Sequence, residues 1–316
     1  MLHARPEHAL AGRPTALRYV DDETWSALVD SVRDGHYENE FLLAFANGAA
    51  FFNAQDGLRA RPPRVIEWKG PHRPPGDDVI PTDLRVDHVY QVSCKYRSRV
   101  MQNAGPARLF DHALATERRA GVDWFLEVAP REYQVFYETA RELSGLSLPR
   151  SARDLTSEDR AVLRNALRQR RLPEPLQVPW SRLCGIVADE SATRWAAHLQ
   201  TKTAQLRMLW RLMRVGDAPY FLLGSDRERP LRLRVASSWD WVQRFELRSF
   251  HVEPRKAGQP EVAWFAEIRD RSSSETAVIV GHVEIRWSHG RFAGAPEAKI
   301  YLDTRIEHAP GYFALL

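Results

Sequence analysis

Apolar residues recur at helical spacing over residues 22–54, a pattern that predicts amphipathic helix. Asp22 or Thr24 can cap its start, because a short polar side chain there accepts hydrogen bonds from free backbone amides. Gly35 interrupts the pattern, and a second helix is predicted from about Tyr37 onwards. The chain is therefore expected to open with two helices.

Short segments of alternating polarity follow these helices. Strands are predicted at 64–69, 79–86 and 88–96. The proline-rich stretch at 71–76 predicts a loop, and Asp87-His88 predicts a tight turn between the last two strands. Those two strands therefore form a predicted β-hairpin.

Helical and strand patterns separate in the rest of the chain. Helices are predicted at 107–119, 130–143, 157–171 and 190–214. After Gly216, strands are predicted at 219–223, 231–235, 241–252, 262–268, 277–287 and 299–302. The tryptophans predicted to pack in the core of this region, with base stacking as the alternative, are Trp239, Trp241, Trp264 and Trp287. We expect an α/β protein with a first part at 1–216 and a β-rich part at 217–316, with one continuous mixed fold as the alternative.

The composition is that of an ordinary globular protein. The 316 residues, 44% hydrophobic and 27% charged, can bury a substantial core. No apolar run approaches the roughly 18 residues that span a bilayer, and the first residues hold no apolar signal core, so we expect a cytoplasmic protein with no membrane partner. Two cysteines and the lack of CxxC, HExxH, P-loop and GxGxxG patterns disfavour zinc, nucleotide and dinucleotide chemistry.

Positive charge is concentrated in two segments, although the net charge is only +4. Residues 91–120 carry 6 Lys and Arg against 2 Asp and Glu, and residues 150–214 carry 13 against 6. Such a local excess is typical of a surface that a polyanion approaches. Solvated helix faces rich in arginine would give the same counts.

The predicted hairpin carries the candidate chemistry. Asp83 stands at the start of its first strand, and Ser93 and Lys95 share one face near the end of its second strand. Carboxylates hold Mg²⁺ while leaving positions for water and phosphate, and a nearby lysine can stabilise charge on a phosphate. The order of helix, strand, hairpin and helix over about 22–120 resembles the core of the PD-(D/E)xK, or restriction-endonuclease-like, superfamily.

Ser93 departs from that family's pattern, which usually has Asp or Glu at this position. Restriction enzymes of the CCGG-recognising group also have serine there, with an acid supplied by the following helix. The resemblance therefore implies Asp111 as the second carboxylate, followed by Glu117. Glu67 and Asp78 are the other candidate metal ligands, and the alternative is a degenerate site that has lost its metal.

The resemblance implies an endonuclease that uses Mg²⁺ or Mn²⁺ to hydrolyse DNA, in restriction or phage defence. Cutting both strands usually requires two sites, so it also implies a homodimer or a larger complex with a partner protein. The β-rich part would bind nucleic acid, mediate dimerisation or dock that partner. The alternatives are a non-catalytic subunit of the same fold, which binds nucleic acid or assembles a defence complex, and an RNA-directed nuclease.

Polar residues outside the catalytic set are candidates for contacts with nucleic acid. They are Arg97, Arg99, Asn103, Arg286, His289 and Arg291. The last three would equally fit an exposed hairpin turn, and Asn103 could serve only to shape the turn after the Lys95 strand. Cys94 alternates away from the site and is predicted to pack in the core.

Overall fold

The structure is a computed structural model that describes residues 6–70, 80–96, 99–111, 122–169, 171–226, 229–256 and 258–316. The predicted loop at 71–76 lies outside these ranges, as do three candidate residues: Asp78, Arg97 and Glu117. The expected α/β class is confirmed, with a mixed sheet, an antiparallel sheet and several helices.

The first part of the chain contains the predicted helices and hairpin. Its elements are α1 (Pro6–Leu10), β1 (Leu17–Arg18), α2 (Asp22–Arg33), α3 (Glu38–Asn53), β2 (Ile66–Trp68), β3 (Leu84–Val86), β4 (Tyr90–Lys95) and β5 (Val100–Ala104). Neither predicted residue caps α2. Asp21 is extended, and its carboxylate accepts a hydrogen bond from the Thr24 amide at 2.6 Å, so the cap lies one residue before Asp22.

The middle of the chain is helical. Its elements are α4 (Pro106–Phe110), α5 (Trp124–Val128), α6 (Pro130–Ser144), a 3₁₀ turn (Ala152–Asp154), α7 (Ser157–Ala166), α8 (Glu174–His198) and α9 (Lys202–Leu212). The single helix predicted at 190–214 is wrong. Helix α8 begins at Glu174, because Pro175 is tolerated in a first turn whose amides need no intrahelical acceptor. Thr201 then caps α9 as a separate helix.

The last part is rich in strands. Its elements are β6 (Tyr220–Asp226), β7 (Arg229–Val235), α10 (Ser238–Arg244), β8 (Phe245–Lys256), β9 (Pro260–Asp270), β10 (Thr276–Arg286), β11 (Glu297–Leu302), a 3₁₀ turn (Ile306–His308) and β12 (Tyr312–Ala314). A capping box between Ser237 and Asp240 starts α10 where a strand was predicted. Trp239 on this helix is 69% exposed, so its predicted core position is wrong. Trp241 and Trp264 are buried.

Two sheets organise these elements. The mixed sheet has the order β1-β2-β3-β4-β6-β7-β12, and the antiparallel sheet has the order β5-β11-β10-β9-β8. Strands β2, β3 and β4 form an antiparallel meander, and β4 then pairs in parallel with β6, with Val92 opposite Phe221. Each sheet takes strands from both sides of residue 216, and the domain division at 216/217 stays a prediction.

Two apolar clusters hold the sheets. The larger cluster packs the helices α4–α9 against the antiparallel sheet and includes a group of stacked aromatic rings around Trp287. The smaller cluster lies between α3 and the hairpin, with Phe51 and Leu58 against Val86, Val92 and Phe221. No helix in the described ranges has the length and apolar character needed to cross a bilayer.

Candidate functional site

The hairpin turn is shaped by Asp87 and His88. Both have positive φ, 52° and 62°, which is the geometry of a type I′ turn between two strands. The Asp87 carboxylate accepts hydrogen bonds from the amides of Arg64 at 2.7 Å and Val65 at 3.1 Å, and it pairs with Arg61 at 2.6 Å. The turn is thereby fixed to the chain that leads into β2.

The two faces of the hairpin differ because side chains alternate along a strand. Val86 and Val92 point to the smaller apolar cluster, against Phe51 of α3. Asp83, Ser93 and Lys95 follow the opposite alternation, since residue 83 continues the register in which Leu84 pairs with Val92. The structure therefore brings three of the four predicted catalytic residues onto one face.

Asp83 is held tightly at the start of β3. Its Oδ2 accepts a hydrogen bond from the Cys94 amide at 2.6 Å and from the Ser93 hydroxyl at 3.3 Å. Its backbone amide donates to the Val92 carbonyl, and its carbonyl accepts from the Lys69 amide, each at 2.9 Å. The carboxylate thus has a defined position, and Ser93 orients it. The Cys94 side chain is exposed, so its predicted place in the core is wrong.

Lys95 lies half-buried at the end of β4. Its Nζ donates to the Val100 carbonyl at 2.5 Å. Burial and the positive charge of Arg214 lower the pKa of Lys95 to about 8, while the negative charge of Asp83 acts in the opposite direction. Lys95 is therefore still mostly a charged ammonium group at neutral pH, and the Asp83 carboxylate favours this charged form.

Two residues outside the hairpin make this close arrangement possible. Gly224 of β6 stands beside Lys95, and a Cβ at this position would lie 2.0 Å from the Lys95 carbonyl oxygen, so only glycine allows the two backbones to approach. Asn47 of α3 is fully buried and donates to the Gly224 carbonyl at 2.8 Å, while its Oδ1 accepts from Arg232 at 2.9 Å. The helix α3 is thereby joined to the strands that carry the site.

A cavity of about 510 Å³ opens where β4 and β6 end. Lys95, Ser225 and Asp226 line it from these two parallel strands, and Asp303 lines it from the chain after β11. Ligands in open α/β sheets commonly bind at the carboxyl ends of parallel strands. The cavity is therefore the accessible space next to Lys95.

The other predicted carboxylates have different neighbours. Asp111 ends α4, with its carboxylate 3.1 Å from Arg194 and 3.6 Å from His198, both on α8. Glu67 is buried and forms a two-point ion pair with Arg85 at 2.6 and 2.8 Å, which lowers the pKa of Glu67 to about 2. The described partners of both carboxylates are basic side chains. A metal role for Asp111 or Glu67 stays a prediction.

The donor set at the hairpin fits Mg²⁺ as a weak site that a substrate would complete. Asp83 offers a carboxylate and Ser93 a neutral hydroxyl, and Mg²⁺ is often held by one or two carboxylates together with waters and substrate phosphates. Across the described ranges, no cluster of three or more His, Cys, Asp or Glu side chains is arranged to hold a metal. Asp83 is thus the residue that would hold the ion.

The predicted nucleic-acid contacts are dispersed. Arg99 is exposed and lies 3.4 Å from Asp226 at the cavity beside Lys95. Asn103 lies on β5, in the antiparallel sheet, and lines a separate cleft. Arg286 pairs with Glu284 at 3.3 Å. Arg291 donates to the carbonyls of Leu167 and Gln169 near the end of α7, at 3.1 and 3.0 Å.

His289 lines a third cleft together with Arg286 and Arg291. The contacts of these two arginines are intramolecular ones that support the fold. Binding of nucleic acid by these residues, and by Arg99 and Asn103, stays a prediction.

Sequence reasoning did not find Asn47 or Arg214. Asn47 sits among apolar residues of α3 and is fully buried; a polar side chain in an apolar helical stripe was the available signal. Arg214 is 6% exposed and has a positive φ of 56°. It follows the end of α9, and its proximity to Lys95 depends on a pairing of distant strands that no local pattern records.

Comparison of the chain with family models, curated proteins and solved structures finds no match in any of the three. The candidate site therefore rests on its own geometry and on the motif resemblance alone.

Proposed function

We propose that this protein is a Mg²⁺-dependent endonuclease that hydrolyses phosphodiester bonds in DNA, in restriction or phage defence. The observation that carries the proposal is the placement of Asp83, Ser93 and Lys95 on one face of the hairpin, with Lys95 also lining a cavity at the ends of two parallel strands. The succession of α3, β2, the hairpin, crossover helices and a parallel strand supports the resemblance to PD-(D/E)xK nucleases, as an analogy of fold.

Each residue has a distinct task in this proposal. Mg²⁺, when bound, supplies an activated water and offsets charge on the phosphate. Asp83 holds the ion, and Ser93 fixes the orientation of Asp83 through its hydroxyl. Lys95, protonated at neutral pH, stabilises the negative charge that develops on the phosphate. Its partial burial strengthens this interaction, because fewer water molecules screen it.

Cleavage assays on the full chain test the proposal. With Mg²⁺ or Mn²⁺, the protein is expected to nick or cut plasmid, linear or single-stranded DNA. Asp83→Ala and Lys95→Met are expected to lower the rate by roughly 10²–10³-fold, the usual effect of removing a group that stabilises a transition state. Cys94→Ala is the matched control, since it lies between the two strand positions and its exposed side chain has no role in the proposal.

DNA that stays intact with both metals, together with an Asp83→Ala variant that behaves like the natural chain, would contradict the enzyme proposal. Direct metal binding gives a second measurement. Mn²⁺ is expected to bind weakly without DNA and more tightly with it, since phosphate oxygens complete the ligand set. Asp83→Asn is expected to weaken Mn²⁺ binding both without DNA and with DNA.

A second candidate function is a non-catalytic subunit that binds nucleic acid or assembles a defence complex. The favouring observation is that Ser93 replaces a carboxylate while both Ser93 and Cys94 donate to the same Asp83 oxygen. This candidate predicts salt-dependent DNA binding without cleavage. The expected homodimer or larger complex is checked by sedimentation, alone and with DNA.

A further inference from the structure

A cleft of about 660 Å³ lies between α4, α9 and strand β5, and arginines dominate its wall. We call it the arginine cleft and define it by Arg108, Arg207, Arg211 and Arg214. Exposure falls from Arg108 and Arg207, which are open to solvent, through Arg211 to the buried Arg214. The cleft is thus lined with positive charge from its mouth to its floor.

Helical spacing explains why three of these arginines meet. Arg207 and Arg211 are four residues apart on α9, and Arg214 follows three residues later just beyond the end of the helix. Helix α4 supplies Arg108, whose carbonyl accepts a hydrogen bond from Arg211 Nη1 at 2.8 Å. The two helices are therefore joined, and four cationic side chains face one space.

The positive charge of the cleft is poorly compensated. Two carboxylates line it, Asp217 and Glu297, and Glu297 also accepts a hydrogen bond from the Ser288 hydroxyl. In the described part of the chain, no carboxylate comes within ion-pair distance of Arg108, Arg207 or Arg211. Burial and the neighbouring arginines lower the pKa of Arg211. Like charges held together in this way destabilise a fold unless an anion binds them.

Neutral polar groups add binding capacity to the same wall. Asn103 is exposed at the cleft. Gln102 Oε1 and Trp210 Nε1 are buried polar atoms that have no hydrogen-bond partner within the described ranges. Such groups are uncommon in folded proteins and are usually satisfied by a ligand or by water. A ligand with both acceptor oxygens and hydrogen-bond donors would satisfy the wall best.

We propose that the arginine cleft binds phosphate groups of a nucleic-acid strand, and that this strand continues to Asp83 and Lys95. Guanidinium groups match pairs of phosphate oxygens in two-point hydrogen bonds. Strand β5 connects the two places: the Val100 carbonyl accepts the hydrogen bond from Lys95 Nζ, and Gln102 and Asn103 line the arginine cleft. The inference rests on the proposed function in naming the strand as the substrate, but binding in the cleft does not require cleavage.

Binding of a labelled single-stranded oligonucleotide, measured by fluorescence anisotropy at several salt concentrations, tests the inference. All proteins carry Asp83→Ala, so that any cleavage is removed. The double variant Arg108→Ala/Arg207→Ala is expected to bind about tenfold or more weakly, since each charged hydrogen bond to phosphate contributes strongly. The slope of log Kd against log salt should fall by about 0.7 for each phosphate that the variant no longer neutralises.

The matched control is Arg131→Ala/Arg182→Ala, which removes two exposed helical arginines outside the cleft. It should bind like the parent protein. Because Arg108 and Arg207 are also exposed and their removal lessens the repulsion in the cleft, neither double variant should unfold at a lower temperature than the parent, which separates weaker binding from impaired folding.

Equal binding by the two double variants would overturn the inference and leave the hairpin proposal intact. Loss of binding only in the cleft variant, combined with an inability of the natural chain to cleave DNA, would support the cleft while the nuclease proposal fails. Competition identifies the phosphate source. If a mononucleotide or inorganic phosphate displaces the oligonucleotide when both are present at equal concentration, the cleft binds small phosphates. The proposal that its ligand is a nucleic-acid strand is then overturned.

Discussion

The hairpin and the arginine cleft are both polar, but their charges are held in different ways. On the hairpin, Asp83 is bonded by Ser93 and Cys94, and Glu67 is paired with Arg85. In the cleft, Arg108, Arg207 and Arg211 form no ion pair with a described carboxylate. The intramolecular partners of the hairpin carboxylates would explain these side chains by a structural role alone, so a catalytic role needs a direct test. Intramolecular ion pairs do not explain the three cleft arginines, which favours an external anion as their partner.

The largest expected effect concerns the apolar backing that keeps the hairpin rigid. Phe51→Ala should lower the free energy of unfolding by about 3–5 kcal/mol, because it empties the centre of the smaller apolar cluster. Leu42→Ala on the same helix is the control, since Leu42 is 49% exposed. Equal stability of the two variants in urea would show that the hairpin does not depend on α3.

The difference between partnered and unpartnered charge can be measured directly. Asp83→Ala should lower the free energy of unfolding by about 1–3 kcal/mol, because it leaves the amide of Cys94 without its acceptor. Arg207→Ala should change it by less than about 0.5 kcal/mol, since no described carboxylate pairs with this exposed side chain. If Arg207→Ala costs as much as Asp83→Ala, the comparison fails.

Lys95 gives the hairpin a pH signature that the cleft lacks. Its pKa is about 8 in the folded protein against an ordinary value of 10.5, so between these values the unfolded chain binds more protons. The free-energy cost of keeping Lys95 charged in the folded protein is fully present below pH 8, and it is relieved as the pH rises above this value. Between pH 7 and 9.5 the free energy of unfolding should rise by on the order of 1–2 kcal/mol more than in Lys95→Met. Parallel profiles would refute the shifted pKa.

A smaller effect than that of Lys95 is expected when an anion binds in the cleft. Phosphate should stabilise the protein more than chloride at equal ionic strength, by about 1 kcal/mol at concentrations several times the Kd. Arg108→Ala/Arg207→Ala should remove this difference, and Arg131→Ala/Arg182→Ala should keep it. Thermal unfolding in the two salts measures the effect. If the cleft variant is still stabilised more by phosphate than by chloride, the stabilisation comes from exclusion of the salt from the protein surface. The cleft would then not differ from the hairpin in needing an external anion.

Local pattern was sufficient for the hairpin. Alternating polarity and the Asp87-His88 turn predicted β3 and β4 and the shared face of Ser93 and Lys95, because these depend on neighbours in the chain. Capping was harder to read: Thr201 divides one expected helix in two, and the capping box at Ser237 turns an expected strand into α10. That helix leaves Trp239 exposed where a core position was predicted.

Long-range pairing could not be predicted. Strand β5 follows Lys95 by a few residues but joins the antiparallel sheet, whereas β6 returns to lie beside β4. The resemblance implies Asp111 as an acid from the helix after Lys95, but local sequence does not record its ion pair with Arg194, which lies 83 residues further along the chain. The arginine cleft was equally hidden, since α4 and α9 are about 100 residues apart. The spacing of Arg207, Arg211 and Arg214 was the readable part of that signal.

The parallel pairing of β4 with β6 also fixes when the site can exist during synthesis. Val92 and Phe221 are partners across about 130 residues, a long-range contact that forms late in folding. At a ribosomal rate of about 5–20 residues per second, the hairpin waits roughly 6–25 seconds for β6. During that time β4 is an open edge, and Lys95 has neither Gly224 nor Arg214 beside it. A nascent chain therefore carries the hairpin before it carries the environment that tunes Lys95.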